Sequence, residues 1–409
     1  MLYILNFNTK RRIFVALLFI LLFVLKPAIA AHATKLSEVD ILVVDESASV
    51  RRAAFKQGLD EVFIRLSGDS IIMGKLKRPA AATYVKKYSY DPVEKPITNQ
   101  QGELLTHRLK MQYNISLMGK YLQQNGFPVW GEHRPELVVW LAIRDGKNEY
   151  VLKQNDKSLL KATADEALAR RGVPGHWPLY DNKDKKILRI ADIRGGFKDP
   201  VTLASKRYSR GPALAGSLIW DGKRWQSNWS LLMPSNNDSQ WENRHWSLVD
   251  ADYNLLINKT IDKAADAMGI VFAIHGSASN KQLKTIQLNI QAVDSIQKYR
   301  HIEQYLTGLY AVESVKPSQI DEQSVVFEVA LRSKESDFLR VINNDAELLK
   351  VEHQAIVTPK IEPQQVETEK LPANQPSVDL QGSTVETSNT DLARKQPDPI
   401  AVYYYRLLK

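Results

Sequence analysis

The chain of 409 residues contains no cysteine, and this absence removes several classes of function at once. Without thiols no disulfide can form, so a fold in an oxidising compartment must rest on buried apolar area. A thiol nucleophile, a thiolate metal site and a lipid-bearing cysteine behind a leader are excluded as well. Hydrophobic residues make up 44% of the chain, which is enough for two or three separate cores.

Long apolar runs are scarce too, and the one near the N-terminus is too short to span a membrane. It covers 13 residues, Ile13 to Leu25, whereas a spanning helix needs roughly 20. Lys10-Arg11-Arg12 precede it and Ala28-Ile29-Ala30 follow it, an order that is typical of a secretory signal peptide. We therefore expect cleavage after Ala30, with Ala33 as the alternative, and a mature chain that works in the periplasm.

An excess of one charge sign is also missing. Of the 55 basic residues four lie in this leader, which leaves 51 against 46 acidic residues and a net charge of +5. A nucleic-acid-binding protein would concentrate far more positive charge. We expect no nucleic-acid partner.

Motifs of catalysis and metal binding are few. No two of the eight histidines stand four residues apart, and no Gly-x-Ser-x-Gly sequence occurs. Ser-x-x-Lys occurs at Ser158/Lys161 and Ser295/Lys298, without the companion motifs of penicillin-recognising enzymes. We expect no metal and no cofactor, and the sequence favours a non-catalytic role while leaving an enzymatic one open.

Two acids and a histidine are the catalytic candidates. His176 lies in a turn rich in proline and glycine, shortly before Asp181 and Asp184. Paired carboxylates are the acid and base of glycosidases. Lysines interleave with these acids, however, which is typical of a solvated loop over Tyr180–Lys186. We expect that the loop and its histidine serve structure, and we retain an envelope glycan or peptide hydrolase as the alternative.

Two arginines are candidates for binding. Arg207 and Arg210 follow a helix predicted around Pro200 to Tyr208 and stand one turn apart. They could hold an anionic group, or their charges could complement the dipole at the helix C-terminus. The second reading is favoured.

Tryptophans supply the other binding candidates, Trp225 and Trp229. Two alternating runs, Ala213–Trp220 and Trp225–Met233, predict a hairpin around Asp221-Gly222. If Trp220 pairs with Trp225, Gly216 lies opposite Trp229; a two-residue loop would shift the register by two and keep the same residues on that face. A stacked indole face could bind glycan or protein. Burying three indoles would contribute at most about 10 kcal/mol, which favours a place in the core.

The remaining patterns predict an α/β (α+β) chain with tandem α/β modules. The Trp-rich hairpin packs on a long helix, about Ser247–Phe272, capped by Ser247 and Asp250. A strand is expected over Ile187–Ile193. The segment before Leu109 is expected to be a polar loop.

Three further elements are predicted from local pattern. A helix is expected to begin after Ser47 or Ser49 and to run to Leu66, with Gly68 just beyond it. The alternation of apolar and polar residues from Leu109 to Leu117 predicts a half-buried strand. The continuous apolar run Leu137–Ile143 predicts a central strand.

Composition divides the chain further. Residues 352–399 hold six prolines and no aromatic residue, so this stretch is predicted to be disordered. We expect a signal peptide over 1–30, an N-terminal α/β module over 36–128, a central α/β module over 129–275, a linker over 276–283, a ferredoxin-like module over 284–351, a disordered insertion over 352–399, and a final strand over 400–409 that completes the ferredoxin-like module.

An ordered set of short motifs follows this plan: Arg51–Phe55, Arg65–Gly68, Arg134–Glu136, Arg171–Pro174 and Ala204–Tyr208. The set resembles the bacterial exported family known as domain of unknown function 2066. The resemblance covers most of the chain from Leu36 to about Ile274. It implies no activity and no catalytic residues.

The function expected from the sequence is that of an exported envelope protein. We expect a non-catalytic scaffold or adaptor that binds envelope proteins or peptidoglycan, with no membrane span after cleavage. Several modules and the lack of a nucleophile or metal constellation support this interpretation. The sequence leaves the oligomeric state open.

Overall fold

The computed structural model describes residues 36–99, 101–232, 243–276, 284–344, 347–351 and 400–408. The predicted signal peptide, the predicted disordered insertion and residues 277–283 of the predicted linker lie outside these ranges. Within them, helices and three sheets form a mixed α+β fold, which confirms the predicted fold class. No helix in the described ranges is long and apolar enough to cross a membrane.

An antiparallel sheet of three strands forms the N-terminal part. Its order is β1-β3-β2, with bounds β1 (Glu38–Val43), β2 (Val85–Thr98) and β3 (Leu104–Tyr113). Helix α1 (Ala48–Ser67) covers one face. It begins after Ser47, whose hydroxyl accepts the N–H of Val50, and ends at Gly68 in the left-handed region, as predicted.

Two local predictions in this part were wrong. Strand β2 replaces the expected polar loop, because an exposed edge strand has no buried face to impose alternation and tolerates proline. The alternation after Leu109 ends at Tyr113, since Asn114 caps helix α2 (Ile115–Gln124). Beyond the pair Pro92–His107 the β2–β3 hairpin extends past the end of β1.

A mixed sheet forms the centre of the molecule, in the order β5-β4-β7-β8-β9, with β6 beside β4. Its bounds are β4 (Leu137–Asp145), β5 (Asn148–Val151), β6 (Gly175–His176), β7 (Ala213–Trp220), β8 (Trp225–Leu232) and β9 (Arg244–Asp250). Strand β4 is buried on both faces over Leu137–Ile143, as the continuous apolar run predicted.

Helices cover both faces of the central sheet. One face packs against α3 (Leu159–Arg171) and α7 (Tyr253–Phe272). The other packs against the short helices α4 (Asn182–Ile187), α5 (Ile190–Gly195) and α6 (Lys198–Ser205). The arrangement is therefore three layers deep.

Helices α4 and α5 contradict two predictions, the loop over Tyr180–Lys186 and the strand over Ile187–Ile193. Each helix has six residues, too few for a period of 3.6 to show in the sequence. Carboxylates at their first turns stabilise them: Asp181 caps α4, and Asp192 accepts the N–H of Arg189 before α5.

The Trp-rich hairpin is confirmed, and of the two registers left open by the sequence it has the one in which Trp220 pairs with Trp225 and Gly216 lies opposite Trp229. The long helix, however, begins later than predicted. It starts at Tyr253 with Asp252 as its cap, and the preceding residues form β9, where Trp246 pairs with Trp229. Ser and Asp three residues apart have the spacing of a capping box, but here both belong to a strand.

The C-terminal sheet has the order β11-β12-β10-β14-β13. Its elements are β10 (Lys284–Gln291), α8 (Ile296–Gly308), β11 (Val312–Ile320), β12 (Ser324–Leu331), α9 (Glu335–Asn344), β13 (Leu348–Lys350) and β14 (Val402–Leu407). The β-α-β-β-α order follows the predicted split β-α-β pattern.

Strand β14 departs from that pattern in its direction. A strand reached from α9 by a crossover runs parallel to β12 and hence antiparallel to β10, and the short β13 has this direction. Strand β14 lies between β10 and β13 and runs parallel to β10. The last strand is therefore inserted into the sheet in the opposite sense.

The central and C-terminal parts are packed together. One continuous apolar cluster runs from Trp130 through α7 to Leu407. Gly276, within the predicted linker, forms an isolated bridge with Ser333. A separate cluster lies under α1 in the N-terminal sheet.

Candidate functional site

The structure gathers the predicted catalytic residues at one place, near the beginnings of β4, β6 and β7. We call this group the carboxylate cluster. It consists of Glu136, His176, Asp181, Asp184, Arg207 and Tyr208.

Arg207 binds both aspartates of the cluster. Its Nη1 lies 2.6 Å from Oδ1 of Asp181 and 2.9 Å from Oδ1 of Asp184, and its Nη2 lies 2.8 Å from Oδ2 of Asp181. A two-pronged guanidinium contact of this kind fixes orientation as well as distance. The segment after α6 is thereby fastened to the first turn of α4.

Asp184 is the buried member, with 1% of its surface exposed. The hydroxyl of Tyr208 donates to Oδ2 of Asp184 and accepts the backbone N–H of Leu179 at 3.0 Å. Burial, together with the hydrogen bond to Asp184, raises the pKa of Tyr208 to about 12. The phenol therefore stays protonated at neutral pH and serves as a hydrogen-bond donor to the carboxylate.

Asp181 has a local structural task. Its Oδ1 accepts the backbone N–H of Lys183 at 2.9 Å and of Asp184 at 3.2 Å, which caps α4. The hydrogen bond from Arg207, followed by those from the backbone, holds the pKa of Asp181 below its ordinary value. Asp181 is therefore ionised at neutral pH and cannot act as a general acid.

His176 completes the cluster from β6. Its Nδ1 lies 3.2 Å from Oε1 of Glu136, and its ring centroid lies 5.0 Å from that of Tyr208. The structure therefore brings the histidine close to the aspartates, through Tyr208 as intermediary. Glu136 and Tyr208 lie in two of the short motifs quoted above but were not among the site candidates, since those motifs indicate no chemistry.

This geometry differs from that of a glycosidase. Such an enzyme needs one carboxylic acid of raised pKa and a second carboxylate across a cleft that admits the sugar. Here one guanidinium nitrogen contacts both carboxylates, and the pKa of Asp181 is lowered. The arrangement therefore acts as an ionic clasp between elements. Within the described ranges, no three His, Asp or Glu side chains are placed to hold a metal ion.

The other candidates lie apart from the cluster. Helix α6 ends at Ser205, so Arg207 and Arg210 do not share a helical turn as predicted, and Arg210 is exposed. Trp229 is 3% exposed and belongs to the core, as the burial argument favoured. Trp225 is half-buried, with its ring 5.2 Å from Trp220 and 6.1 Å from Tyr253.

A second polar group, which the sequence did not reveal, lies between the N-terminal and central parts. We call it the arginine junction; it consists of Arg65, Arg134 and Arg171, all buried. Arg134 carries the connection. Its guanidinium donates to five backbone carbonyls, those of Arg65, Trp130, Gly131, Arg171 and Gly172. It also lies over the indole of Trp130, 4.2 Å from the ring centroid.

The two neighbouring arginines are paired with carboxylates. Arg65 contacts Glu61 at 2.6 Å, and its Nη1 donates to the carbonyls of Leu36 and Glu38 at 2.9 Å. Arg171 contacts Asp266 on α7 at 2.7 Å. Asp266 in turn accepts the backbone N–H of Ser70 at 2.8 Å, which links α7 to the N-terminal part.

Close backbone contact reinforces the junction. A Cβ added at Gly269 would lie 2.6 Å from the carbonyl oxygen of Gly68, too near for any side chain. Gly68 is also in the left-handed region, with φ 72°. The end of α1 and the last turn of α7 can therefore approach this closely only because Gly68 and Gly269 have no side chains.

The fold and these two groups define a mixed α+β protein whose buried charges hold its parts together. Residues 30–131 match the family model described as Domain of unknown function (DUF8605). No curated protein and no solved structure matches the chain.

The family match corrects the resemblance stated above. DUF8605 is a different domain from domain of unknown function 2066, so that resemblance was wrong. In the structure the motif residues Arg65, Arg134 and Arg171 form the arginine junction, and Gly68 meets Gly269 beside it.

Proposed function

We propose that this chain is an exported, non-catalytic scaffold or adaptor of the bacterial cell envelope, which binds envelope proteins or peptidoglycan in the periplasm. The observation that carries the proposal is the internal pairing of the carboxylate cluster. Arg207 contacts both aspartates, and Tyr208 donates to the buried one. The side chains best suited to chemistry are thus engaged with one another.

The arginine junction supports the same role. It fixes the N-terminal sheet to the central sheet, so the extended β2–β3 hairpin has a defined direction relative to the rest. Near its end the hairpin exposes two aliphatic side chains, Ile97 and Leu104. A rigid body that presents an exposed hairpin suits docking.

A hydrolase that uses paired carboxylates is the second candidate. The observation that favours it is the meeting of Asp181 and Asp184 at one arginine. The engagement of both carboxylates by the Arg207 guanidinium argues against it, because each catalytic carboxyl group must face the substrate across an open cleft.

Fractionation tests the location. We expect the protein in the osmotic-shock fraction with Ala31 as its first residue. Retention in the cytosol with Met1 present would overturn the exported role.

In-cell crosslinking tests the docking role. A photoreactive amino acid replaces Ile97 or Leu104, and a matched control replaces Leu203, an equally exposed aliphatic residue on α6. We expect a discrete envelope protein or a peptidoglycan fragment attached at the hairpin positions and absent at Leu203. Identical adducts at all three positions would contradict a docking hairpin.

A further inference from the structure

Strand β14 contacts the rest of the chain in the manner of a bound peptide. It follows residues 352–399 and fills the space between β10 and β13, over α9. We call this space the strand groove. Its walls supply backbone hydrogen bonds: Gln287 donates to the carbonyl of Ala401, and Val351 donates to that of Tyr404 at 3.0 Å.

Side-chain recognition in the groove is specific. The hydroxyl of Tyr405 donates to Oδ1 of Asn343 on α9 at 2.8 Å, and Tyr405 is completely buried. The hydroxyl of Tyr403 donates to Glu335 at the other end of α9, and Lys284 contacts the same carboxylate. Two phenols at alternate positions thus meet two acceptors on one helix.

The construction of the groove favours replacement of β14 by another strand. The outer wall, β13, has only three residues, and β14 runs in the sense opposite to a crossover strand. The chain runs from β10 through β12 and α9 to β13 before it reaches β14. Both sides of the groove therefore belong to residues that precede β14, and no connection between them passes through β14.

We propose that the strand groove is a peptide-binding site, occupied in this state by the chain's own strand β14. The partner that it fits is an extended segment with tyrosines at two alternate positions and an aliphatic residue two further on, parallel to β10. This chemistry is the pattern of Tyr403, Tyr405 and Leu407. The inference does not depend on the adaptor role.

Tethering explains why an external peptide does not displace β14 freely. A segment of the same chain competes at a raised effective concentration, whereas a free peptide competes at its own concentration. An external strand of equal affinity must exceed that effective concentration. Binding therefore requires that β14 be cut from the chain or drawn out of the groove. In this way β14 regulates access to the groove.

The test uses the full mature chain with a protease site inserted within residues 352–399 and cleaved after folding. A fluorescent peptide of residues 400–409 is then added. We expect the cleaved protein to exchange its fragment for the peptide, and the uncleaved protein to bind at least about 100-fold more weakly. Equal binding by both forms, no exchange after cleavage, or unfolding on cleavage would each overturn the proposal.

Variant peptides test the recognition pattern. Tyr405→Ala should weaken binding to the cleaved protein at least about tenfold, since it removes the buried ring and its hydrogen bond. The matched control is Val402→Ala, at an exposed position of the same strand, and should bind as the parent does. Equal affinity of the two variants would contradict the assigned groove.

A crosslink provides a second measurement on the cleaved protein. Leu349 and Arg406 lie opposite each other in the β13–β14 register, and the chain has no other cysteine to interfere. With Leu349→Cys and Arg406→Cys oxidised, the cleaved protein should take up no peptide, and reductant should restore uptake. Undiminished uptake in the oxidised form would place the peptide elsewhere. Because these tests leave the β2–β3 hairpin untouched, their failure is distinct from failure of the docking role.

Discussion

Arg134 and Arg207 each tie distant segments together, but they do so by different physics. Arg134 is fully enclosed and donates only to carbonyl oxygens, whereas Arg207 is partly exposed and contacts two carboxylates. Burial, then the neighbouring Arg65 and Arg171, lower the pKa of Arg134, whereas the hydrogen bonds that Arg207 donates to Asp181 and Asp184 raise the pKa of Arg207. The first connection depends on geometry and the second on charge.

The largest effect is expected at the enclosed arginine. Arg134→Ala leaves several buried carbonyls without a donor, and each unsatisfied buried group costs about 1–3 kcal/mol. We expect a loss of more than about 4 kcal/mol in the free energy of unfolding, measured by denaturant titration. Arg134→Lys should recover only part, because an ammonium group has three donors in place of five. An Arg134→Ala protein as stable as the parent would show that the arginine junction does not hold the N-terminal and central parts together.

A substitution at Trp229 tests whether the tryptophans belong to the core or form a binding surface. Trp229→Ala should destabilise the protein by about 3–5 kcal/mol, as truncation of a buried aromatic residue does. The comparison is Trp225→Ala, which should cost less because Trp225 is half-buried. Thermal melting curves measure both. A Trp229→Ala curve that coincides with the parent's would return the tryptophans to the role of a surface platform.

Arg207→Ala is expected to have a smaller effect than either. The change leaves Asp184 buried with Tyr208 as its remaining side-chain donor, so the melting temperature should fall. The matched control is Arg194→Ala, which breaks an exposed ion pair with Glu149 at 2.7 Å and should leave the melting temperature nearly unchanged. Equal shifts for the two variants would show that the clasp is an ordinary surface pair.

The smallest effect is a dependence on pH. The folded-state pKa of Asp181 lies below its unfolded value of about 3.9, so its stabilising contribution is present above that pH and is lost as the pH falls through the folded-state value. The difference in melting temperature between the parent and Asp181→Asn should therefore shrink below about pH 4. Arg134→Lys should show no such narrowing against the parent, since its partners do not titrate. A constant difference for Asp181→Asn would contradict the ionic clasp.

Much of the fold could be predicted from local pattern. The Trp-rich hairpin follows from alternation and the Asp221-Gly222 turn signal, whereas its register, with Gly216 opposite Trp229, depends on the loop length and was left open. The helix after Ser47 follows from its cap, stripe and terminal glycine. Helices α4 and α5 could not be predicted because six residues are too few to show the helical period in hydrophobicity. Strand β2 could not be predicted because neither of its faces is buried, so its sequence does not need to alternate apolar and polar residues.

The candidate site divides along similar lines. Asp181, Asp184, His176 and Arg207 were each identified from residue type, and the structure brings them together. Their mutual pairing could not be read from the sequence, because it joins segments on different elements. The arginine junction gave no signal, since hydropathy assigns arginine to the surface and a set of backbone carbonyls leaves no mark in the sequence.

The most direct test of the central claim asks whether the aspartates serve structure or chemistry. Asp181→Asn and Asp184→Asn each keep an oxygen acceptor for Arg207 and remove the carboxylate. Complementation of a deletion strain and the melting temperature are measured on the same variants. We expect complementation to fall only as far as the melting temperature falls. Loss of complementation at an unchanged melting temperature would contradict it and favour a hydrolase.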